Sequence, residues 1–189
     1  MNHVVGGDRL SMEPSDKQLI ESANKGNPDA FETLYYRYRD WVYNLAWRFT
    51  GNRDDALDVL QETFTYLLKK FPGFQLTASM TTFLYPVVKH LSLAIRSKSR
   101  RFTSEEEILS ELFAPASKDI DRSRSELAAV LTVLTDEQRE VLLMRFVDDM
   151  SLQEIATTLN ILVGTVKSRL HHALRKLRQD RRTRNYFLE

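Results

Sequence analysis

Apolar residues recur at helical spacing through most of this chain. Leu57, Leu60, Phe64, Leu67 and Phe71 follow one another in steps of three and four, which is typical of one face of an amphipathic helix. The helices predicted in this way cover residues 16–26, 28–50, 53–71, 83–101, 136–147, 152–159 and 163–177. We therefore expect an all-α fold class.

Several of these helices have clear boundary signals. Gly51-Asn52 ends the second helix and Pro72-Gly73 follows the third, while Pro86 interrupts or enters the fourth. The runs TDEQ at 135–138 and SLQE at 151–154 have the form of capping boxes, in which a hydroxyl and a side chain three residues later cap the helix start. In the turn at 160–162 we expect Asn160 to adopt the left-handed conformation, which asparagine tolerates.

The periodicity is lost in two places, and these losses divide the chain. Residues 1–15 predict a disordered tail, within which Met12 is an alternative start. Residues 102–125 carry charge, serine and Pro115, and predict a flexible linker with a short helix at 108–113. The organisation predicted is two small helical domains, at 16–101 and 126–184.

The charge is balanced overall but uneven along the 189 residues, with 27 Lys and Arg against 26 Asp and Glu. Basic clusters at 96–101 and 164–184 flank an acidic stretch, which indicates two surfaces for a polyanion, although solvated helix faces remain an alternative. The absence of cysteine excludes disulfides and cysteine-ligated metals. No apolar run approaches the ~20 residues of a membrane span, and the N-terminal residues lack the basic start and apolar stretch of a signal peptide, so we expect no membrane insertion and a cytoplasmic location.

Residues 151–177 form a helix, a turn and a second, basic helix. This arrangement is typical of a helix-turn-helix, whose second helix enters the major groove of DNA. A helical hairpin with a basic face is the alternative from the pattern alone. The apolar positions expected to face each other are Leu152, Ile155, Ala156 and Leu159 on the first helix and Val166 and Leu170 on the second.

Three stretches of this chain resemble one known family. The run VGTVKSRL at 163–170 is similar to the DNA-binding region of RNA polymerase sigma factors of the sigma-70 family, extracytoplasmic-function (ECF) class. The run DDALDVLQETF at 54–64 resembles the core-polymerase-binding helix of that family, and FLY at 83–85 with the following helix resembles its −10 promoter region. The resemblance covers about residues 16–182 apart from the linker.

The resemblance implies a sigma region 2-like bundle and a region 4-like helix-turn-helix domain, and it assigns three interfaces. The residues implied to bind core polymerase are Asp54, Asp55, Asp58, Gln61 and Glu62, which lie largely on one polar helix face. The residues implied to bind −10 DNA are Gln75, Thr77, Ser79, Thr82, Lys89, His90, Arg96, Lys98, Arg100 and Arg101. The residues implied to bind −35 DNA are Lys167, Ser168, Arg169, His171, His172 and Arg175.

The function implied is that of an alternative sigma factor, which directs core RNA polymerase to promoters and helps to melt them. The implied partners are the β′ coiled coil and β flap of core polymerase, promoter DNA and an anti-sigma factor. No catalytic motif, metal site or cofactor site is expected, and the chain is not predicted to be an enzyme. Two alternatives stay open: a sigma-like decoy that sequesters an anti-sigma factor, and a conventional dimeric helix-turn-helix regulator.

The chain departs from the family pattern at the −10 region. Phe83 stands where tryptophan is usual, Pro86 where arginine is usual, and Lys89-His90 replaces an Arg-Asn pair. These departures leave the −10 base preference open. We expect Phe83 and Tyr85 to pack in the core rather than to stack on bases.

Overall fold

The computed structural model describes residues 13–99, 131–181 and 183, and within these residues the chain is helical with no strand. The helices are α1 (Asp16–Asn24), α2 (Pro28–Thr50), α3 (Arg53–Leu68), α4 (Met80–Ser99), α5 (Asp136–Phe146), α6 (Leu152–Leu159) and α7 (Val163–Gln179). The predicted all-α fold class is confirmed. The predicted linker and its short helix, most of the tail, Arg100 and Arg101 lie outside the described residues.

Helices α1 to α4 form a first lobe, in which α2 packs against the other three. Local signals set the helix ends: Ser15 and Gln18 form a capping box at α1, and Asn27 caps α2 just before Pro28. Gly51 ends α2 with a left-handed φ of 71°, which glycine adopts without strain. The largest fully buried side chains of this lobe are Leu34, Val42, Leu45, Val59, Leu67, Met80, Leu84 and Val88.

Helix α4 begins three residues earlier than predicted, at Met80 instead of Phe83. The reason is a cap that the apolar pattern does not reveal, since the Ser79 hydroxyl accepts the Thr82 N–H at 3.3 Å. Pro86 consequently lies inside the helix, where its ring nitrogen has no hydrogen to donate to the Thr82 carbonyl. Residues 79–82 therefore belong to a helix start, and the predicted polar loop is shorter.

Helices α5 to α7 form a second lobe with its own core. Both predicted capping boxes are present, Thr135 with Gln138 at α5 and Ser151 with Glu154 at α6. Asn160 ends α6 with φ 52° and ψ 49°, which confirms the left-handed turn expected there. The buried side chains that join these helices are Leu134, Val141, Leu142, Met144, Met150, Ile155, Ala156, Val166, Leu170, Ala173 and Leu177.

The two lobes touch, because α6 of the second lobe packs against α4 of the first. The predicted domain limits at 16–101 and 126–184 fall partly outside the described residues and stay predictions. Among the helices described, none has both the length and the apolar character needed to cross a membrane.

Candidate nucleic-acid and protein interfaces

The polar face predicted on the third helix lies on the surface of α3. Asp54, Asp58, Gln61 and Glu62 are exposed, while Asp55 is half-buried. The Asn52 side chain caps this helix by accepting the N–H groups of residues 54 and 55 at 2.8 and 3.1 Å. The acidic residues of the first turn therefore lie at the positive end of the helix dipole, where negative charge is favourable.

A shallow apolar groove runs beside this acidic face. Leu57 and Leu68 are 43% and 54% exposed and, with Tyr35, Leu60 and Gln61, help to line a groove of about 290 Å³. The apolar pattern placed Leu57 in the same stripe as the core residues, but α2 does not cover this part of α3. The structure therefore shows an exposed apolar strip beside the acidic residues. The sequence did not predict this strip.

The loop between α3 and α4 carries Gln75 and Thr77, both of which are exposed. Asn24 at the end of α1 holds the start of this loop. Its Oδ1 accepts the N–H groups of Gly73 and Phe74 at 2.7 and 3.0 Å, and its Nδ2 donates to the Phe74 carbonyl at 2.9 Å. Asn24 is thus a positioning residue for the predicted −10 loop, and no local sequence signal identifies it.

The hydroxyl groups predicted to bind a −10 base differ in their accessibility. Ser79 is half-buried, and its hydroxyl lies 3.0 Å from that of Thr81 and 2.8 Å from that of Thr82. Thr82 is only 8% exposed, because α4 begins before it and turns it toward the core. Thr82 is therefore placed to support Ser79, and it does not present its own hydroxyl to solvent.

The aromatic residues at the start of α4 pack in or against the core of the lobe. Tyr85 is 2% exposed and its ring packs edge-on against Phe49, as expected for a core residue. Phe83 packs against Phe74 and Tyr66, with ring centroids at 4.9 and 6.3 Å. The expected core packing is therefore confirmed for Tyr85, whereas Phe83 is half-buried and packs against the core.

The basic side of α4 meets the second lobe. Lys89 donates to the Glu140 carboxylate at 2.5 Å, and the Tyr85 hydroxyl donates to the same carboxylate oxygen at 3.0 Å. Exposed His90 and half-buried Lys89 line a groove of about 350 Å³ that Thr158 and Leu159 of α6 complete. Farther along α4, Arg96 is half-buried and Lys98 is exposed.

A second ion pair joins the lobes one helix away. Arg48 of α2 donates to the Asp148 carboxylate at 2.6 Å, and the Asp148 side chain is almost completely buried. Burial raises the pKa of Asp148 above its ordinary value, while Arg48 acts in the opposite direction. Burial and the neighbouring Glu140 carboxylate also raise the pKa of Tyr85, which keeps its phenol protonated as a donor.

The basic helix of the helix-turn-helix, α7, presents its candidate residues to solvent. The predicted −35 residues that are exposed are Lys167, Ser168, His171, His172 and Arg175. Arg169 is half-buried. Hydrogen bonds to the Glu137 carboxylate from its own backbone and from Thr135 lower the pKa of Glu137, and the charge of Arg169 lowers it further. Apart from Arg169, the candidate set therefore lies open to a ligand.

Within the described ranges, no group of three histidine or acidic side chains is arranged to hold a metal ion.

The chain matches two family models in the order of its lobes. "Sigma-70 region 2" matches residues 34–102 and "Sigma-70, region 4" matches residues 130–179. The ECF RNA polymerase sigma factor SigW of Bacillus subtilis is 30% identical over 185 residues, covering 90% of this chain and 99% of its own length. The ECF RNA polymerase sigma factor SigE of Mycolicibacterium smegmatis is 28% identical over 179 residues, covering 88% and 69%.

Solved structures agree with this similarity. CnrH, in its complex with the cytosolic domain of CnrY, superposes with a TM-score of 0.63 at 25% identity, covering 86% of this chain and 94% of its own. RpoE of Bartonella quintana, in complex with the anti-sigma factor NepR, shares the fold with a TM-score of 0.57 at 19% identity, covering 79% and 94%. With both sigma regions matched in order and a relative aligned over nearly its full length, the chain belongs to the sigma-70 family of RNA polymerase sigma factors, in the ECF class.

Proposed function

We propose that this chain is a dissociable, non-catalytic subunit that directs core RNA polymerase to a set of promoters. The observation that carries the proposal is the separation of two surfaces on two lobes, each within its matching sigma region. An acidic and apolar helix face lies in region 2, and an exposed basic helix lies in region 4. A cytoplasmic location follows from this role, because core polymerase and promoter DNA are cytoplasmic.

The α3 surface is the proposed contact for the β′ coiled coil. Its acidic residues suit a partner with basic side chains. Such charge complementarity speeds association and orients the two proteins. The exposed leucines at 57 and 68 supply the apolar area that a stable interface buries at its centre. The combination of apolar strip and charged border is typical of a protein interface rather than of an ordinary solvated face.

The loop after α3 and the basic side of α4 form the proposed −10 surface. Gln75, Thr77 and Ser79 offer hydrogen-bonding groups for an unstacked base, since melting requires a base to be held out of the duplex. Lys89, His90, Arg96 and Lys98 follow along α4, where cationic groups can track the phosphates of a single strand. Thr82 takes part only through Ser79.

Helix α7 is the proposed reader of the −35 element as duplex DNA. Lys167, Ser168 and His171 lie near its N-terminus, the end of a recognition helix that reaches base edges. Arg175 lies farther along and suits phosphate contacts. The second lobe is also the proposed site for the β flap, although no single residue is assigned to that contact.

An anti-sigma factor is the proposed regulatory partner. CnrH, which this chain resembles, was solved with the cytosolic domain of another protein, CnrY. A sigma-like decoy is disfavoured, because such a protein has no need of the exposed basic residues on α7. A dimeric regulator is disfavoured by the match to region 2, which such a protein lacks.

Reconstitution with purified core RNA polymerase tests the proposal. We expect the full chain to co-elute with core and to produce run-off transcripts from a subset of a fragmented genomic library. Core alone is the matched control. Failure to bind core would leave a DNA-binding regulator as the function, and core binding without transcripts would support a decoy.

A further inference from the structure

The end of α3 carries an exposed aromatic ring with a cation over it. Tyr66 is 39% exposed, and the Lys70 ammonium lies 4.5 Å from the centroid of its ring. Lys69 and Lys70 are both exposed. These three residues belong neither to the predicted core-binding residues nor to the predicted −10 residues, so the group has no role in the interfaces described above.

Tyr66 faces away from the proposed core-binding surface. With 3.6 residues per turn, it lies on nearly the opposite side of α3 from Leu57 and Leu68. Its ring stacks on Phe83 of α4, with the centroids 6.3 Å apart and the planes at 21°. Phe83 also packs against Phe74 at the start of the −10 loop, with the centroids 4.9 Å apart. Tyr66 therefore lies one aromatic ring away from that loop.

The row of rings that ends at Tyr66 is held on several sides. Phe71 packs against Phe74 and Phe31, with ring centroids at 5.4 and 5.8 Å, and Asn24 binds the backbone of Phe74. A ring with fixed neighbours loses little freedom when a ligand stacks on it, so the entropic cost of binding is small. Tyr66 is the exposed member of this row.

An exposed aromatic ring beside lysines is a combination that binds single-stranded nucleic acid. Bases stack on such a ring because every base has a π-face, and the cations follow the phosphates. Lys70 has a flexible stem, and an exposed cation–π contact is weaker than the stacking of a base. A base can therefore displace the Lys70 ammonium from the ring, and the released ammonium can bind a phosphate. Glu62, one turn before Tyr66, is exposed and acidic, so the strand has to pass on the side of the lysines.

We propose that Tyr66 is a stacking site for a nucleobase of single-stranded DNA, with Lys69 and Lys70 binding the adjacent phosphates. This inference rests on the proposed −10 surface and extends it from α4 onto the end of α3. The −10 loop holds one unstacked base through its hydrogen-bonding groups, and Tyr66 holds a neighbouring base by its π-face. Helix α3 then serves two partners, core polymerase on one side and the melted strand on the other.

The test measures binding of the full chain to a single strand of ~12 deoxyadenosines and to an abasic strand of the same length. Tyr66→Leu removes the π-face but keeps an apolar side chain against Phe83, and Tyr66→Phe keeps the ring. The matched control is Tyr36→Leu on α2, outside the aromatic row. Tyr36 is 56% exposed and also has a cation over its ring, the Arg39 guanidinium at 5.6 Å.

We expect Tyr66→Leu to weaken binding to the adenine strand about five- to twentyfold and to leave binding to the abasic strand unchanged. Tyr66→Phe should bind both strands like the wild type, and so should Tyr36→Leu. Lys70→Gln should weaken binding to both strands and reduce the slope of log K against log salt by about 0.7, the value for one phosphate of a single strand.

Three results would overturn the stacking site. The first is wild-type affinity of Tyr66→Leu for the adenine strand, or no binding of that strand by the wild type. The second is an equal loss on the adenine and abasic strands, which would show that Tyr66 acts through folding. The third is an equal loss in Tyr66→Phe or in Tyr36→Leu, which would show that the π-face at this position is not what binds.

The proposed function is tested separately, by run-off transcription of the wild-type chain with core polymerase. If the wild type produces transcripts and Tyr66→Leu binds the adenine strand normally, the stacking site is wrong and the proposed function stands. If the wild type produces no transcripts but shows the expected difference between the two strands, the proposed function is wrong and the stacking site stands.

Discussion

The side-chain amide of Asn24 is hydrogen-bonded to both backbone groups of Phe74, fifty residues away. A third bond, from the Gly73 N–H, completes the link between the end of α1 and the loop before α4. One asparagine thereby does for this loop what a sheet partner does for a strand: it satisfies backbone groups that would otherwise bond to water. The loop that carries Gln75 and Thr77 is held by a residue outside it.

Replacing Asn24 by alanine should lower the free energy of unfolding by about 1–3 kcal/mol, because three hydrogen bonds are lost together. Urea denaturation of the variant and wild type measures this difference. Asn44→Ala, at an exposed position of α2, is the matched control and should change stability by less than about 0.5 kcal/mol. Equal effects of the two substitutions would show that the link contributes nothing to stability.

Charge reversal at Asp58 or Glu62 should weaken binding to core polymerase at least tenfold, since losing one partner of a close interfacial pair costs about 2–5 kcal/mol. Titration of labelled chain with core polymerase measures the change. Glu32→Lys, at an exposed position of α2, is the control that alters net charge equally. Wild-type affinity for both α3 variants would exclude this face as the core contact.

Leu57→Ser tests the apolar half of the same surface. Because Leu57 is already 43% exposed, the substitution should leave the free energy of unfolding within about 1 kcal/mol of wild type. Core affinity should nevertheless fall, because an interface buries this side chain. A variant that loses stability as well as core affinity would indicate that Leu57 acts through folding.

The two kinds of residue on α7 should respond differently to substitution. Lys167→Ala or His171→Ala should cost about 1–3 kcal/mol and relax the preference at particular −35 bases. Arg175→Ala should weaken all sequences alike and reduce the slope of log K against log salt by about one unit. Titrations against a library of −35 duplexes at several salt concentrations separate these effects, and the reversed result would show that α7 lies in the groove in another orientation.

The left-handed backbone at Asn160 makes its substitutions asymmetric. Asn160→Val should lower the free energy of unfolding by about 1–2 kcal/mol, because a β-branched side chain is strained at a φ of 52°. Asn160→Gly should stay close to wild type, since glycine adopts this conformation freely. Thermal and urea denaturation of both variants measure the difference. If Asn160→Val leaves the free energy of unfolding unchanged, the turn adopts another conformation in that variant.

The resemblance to sigma factors, the all-α fold and the helix-turn-helix were all predictable from the sequence. Their signals are local: periodic apolar residues, two capping boxes and an asparagine at the turn each act within a few residues. Such signals determine which residues share a helix face, and so they placed the exposed residues of α3 and α7 correctly. They could not show that Ser79 caps α4. Several residues near this position could begin the helix, and only packing against the other helices decides which of them does.

Tertiary structure decided which of those faces are covered. Leu57 and Leu60 belong to one apolar stripe, yet α2 and α4 cover only part of it. Thr82 reads as a polar loop residue, yet the early start of α4 buries it. The pairing of Arg48 with Asp148 joins residues one hundred positions apart. Spacing along a chain specifies which side chains lie together on one helix, whereas contacts between helices depend on how the helices pack in three dimensions, and only the folded chain supplies that.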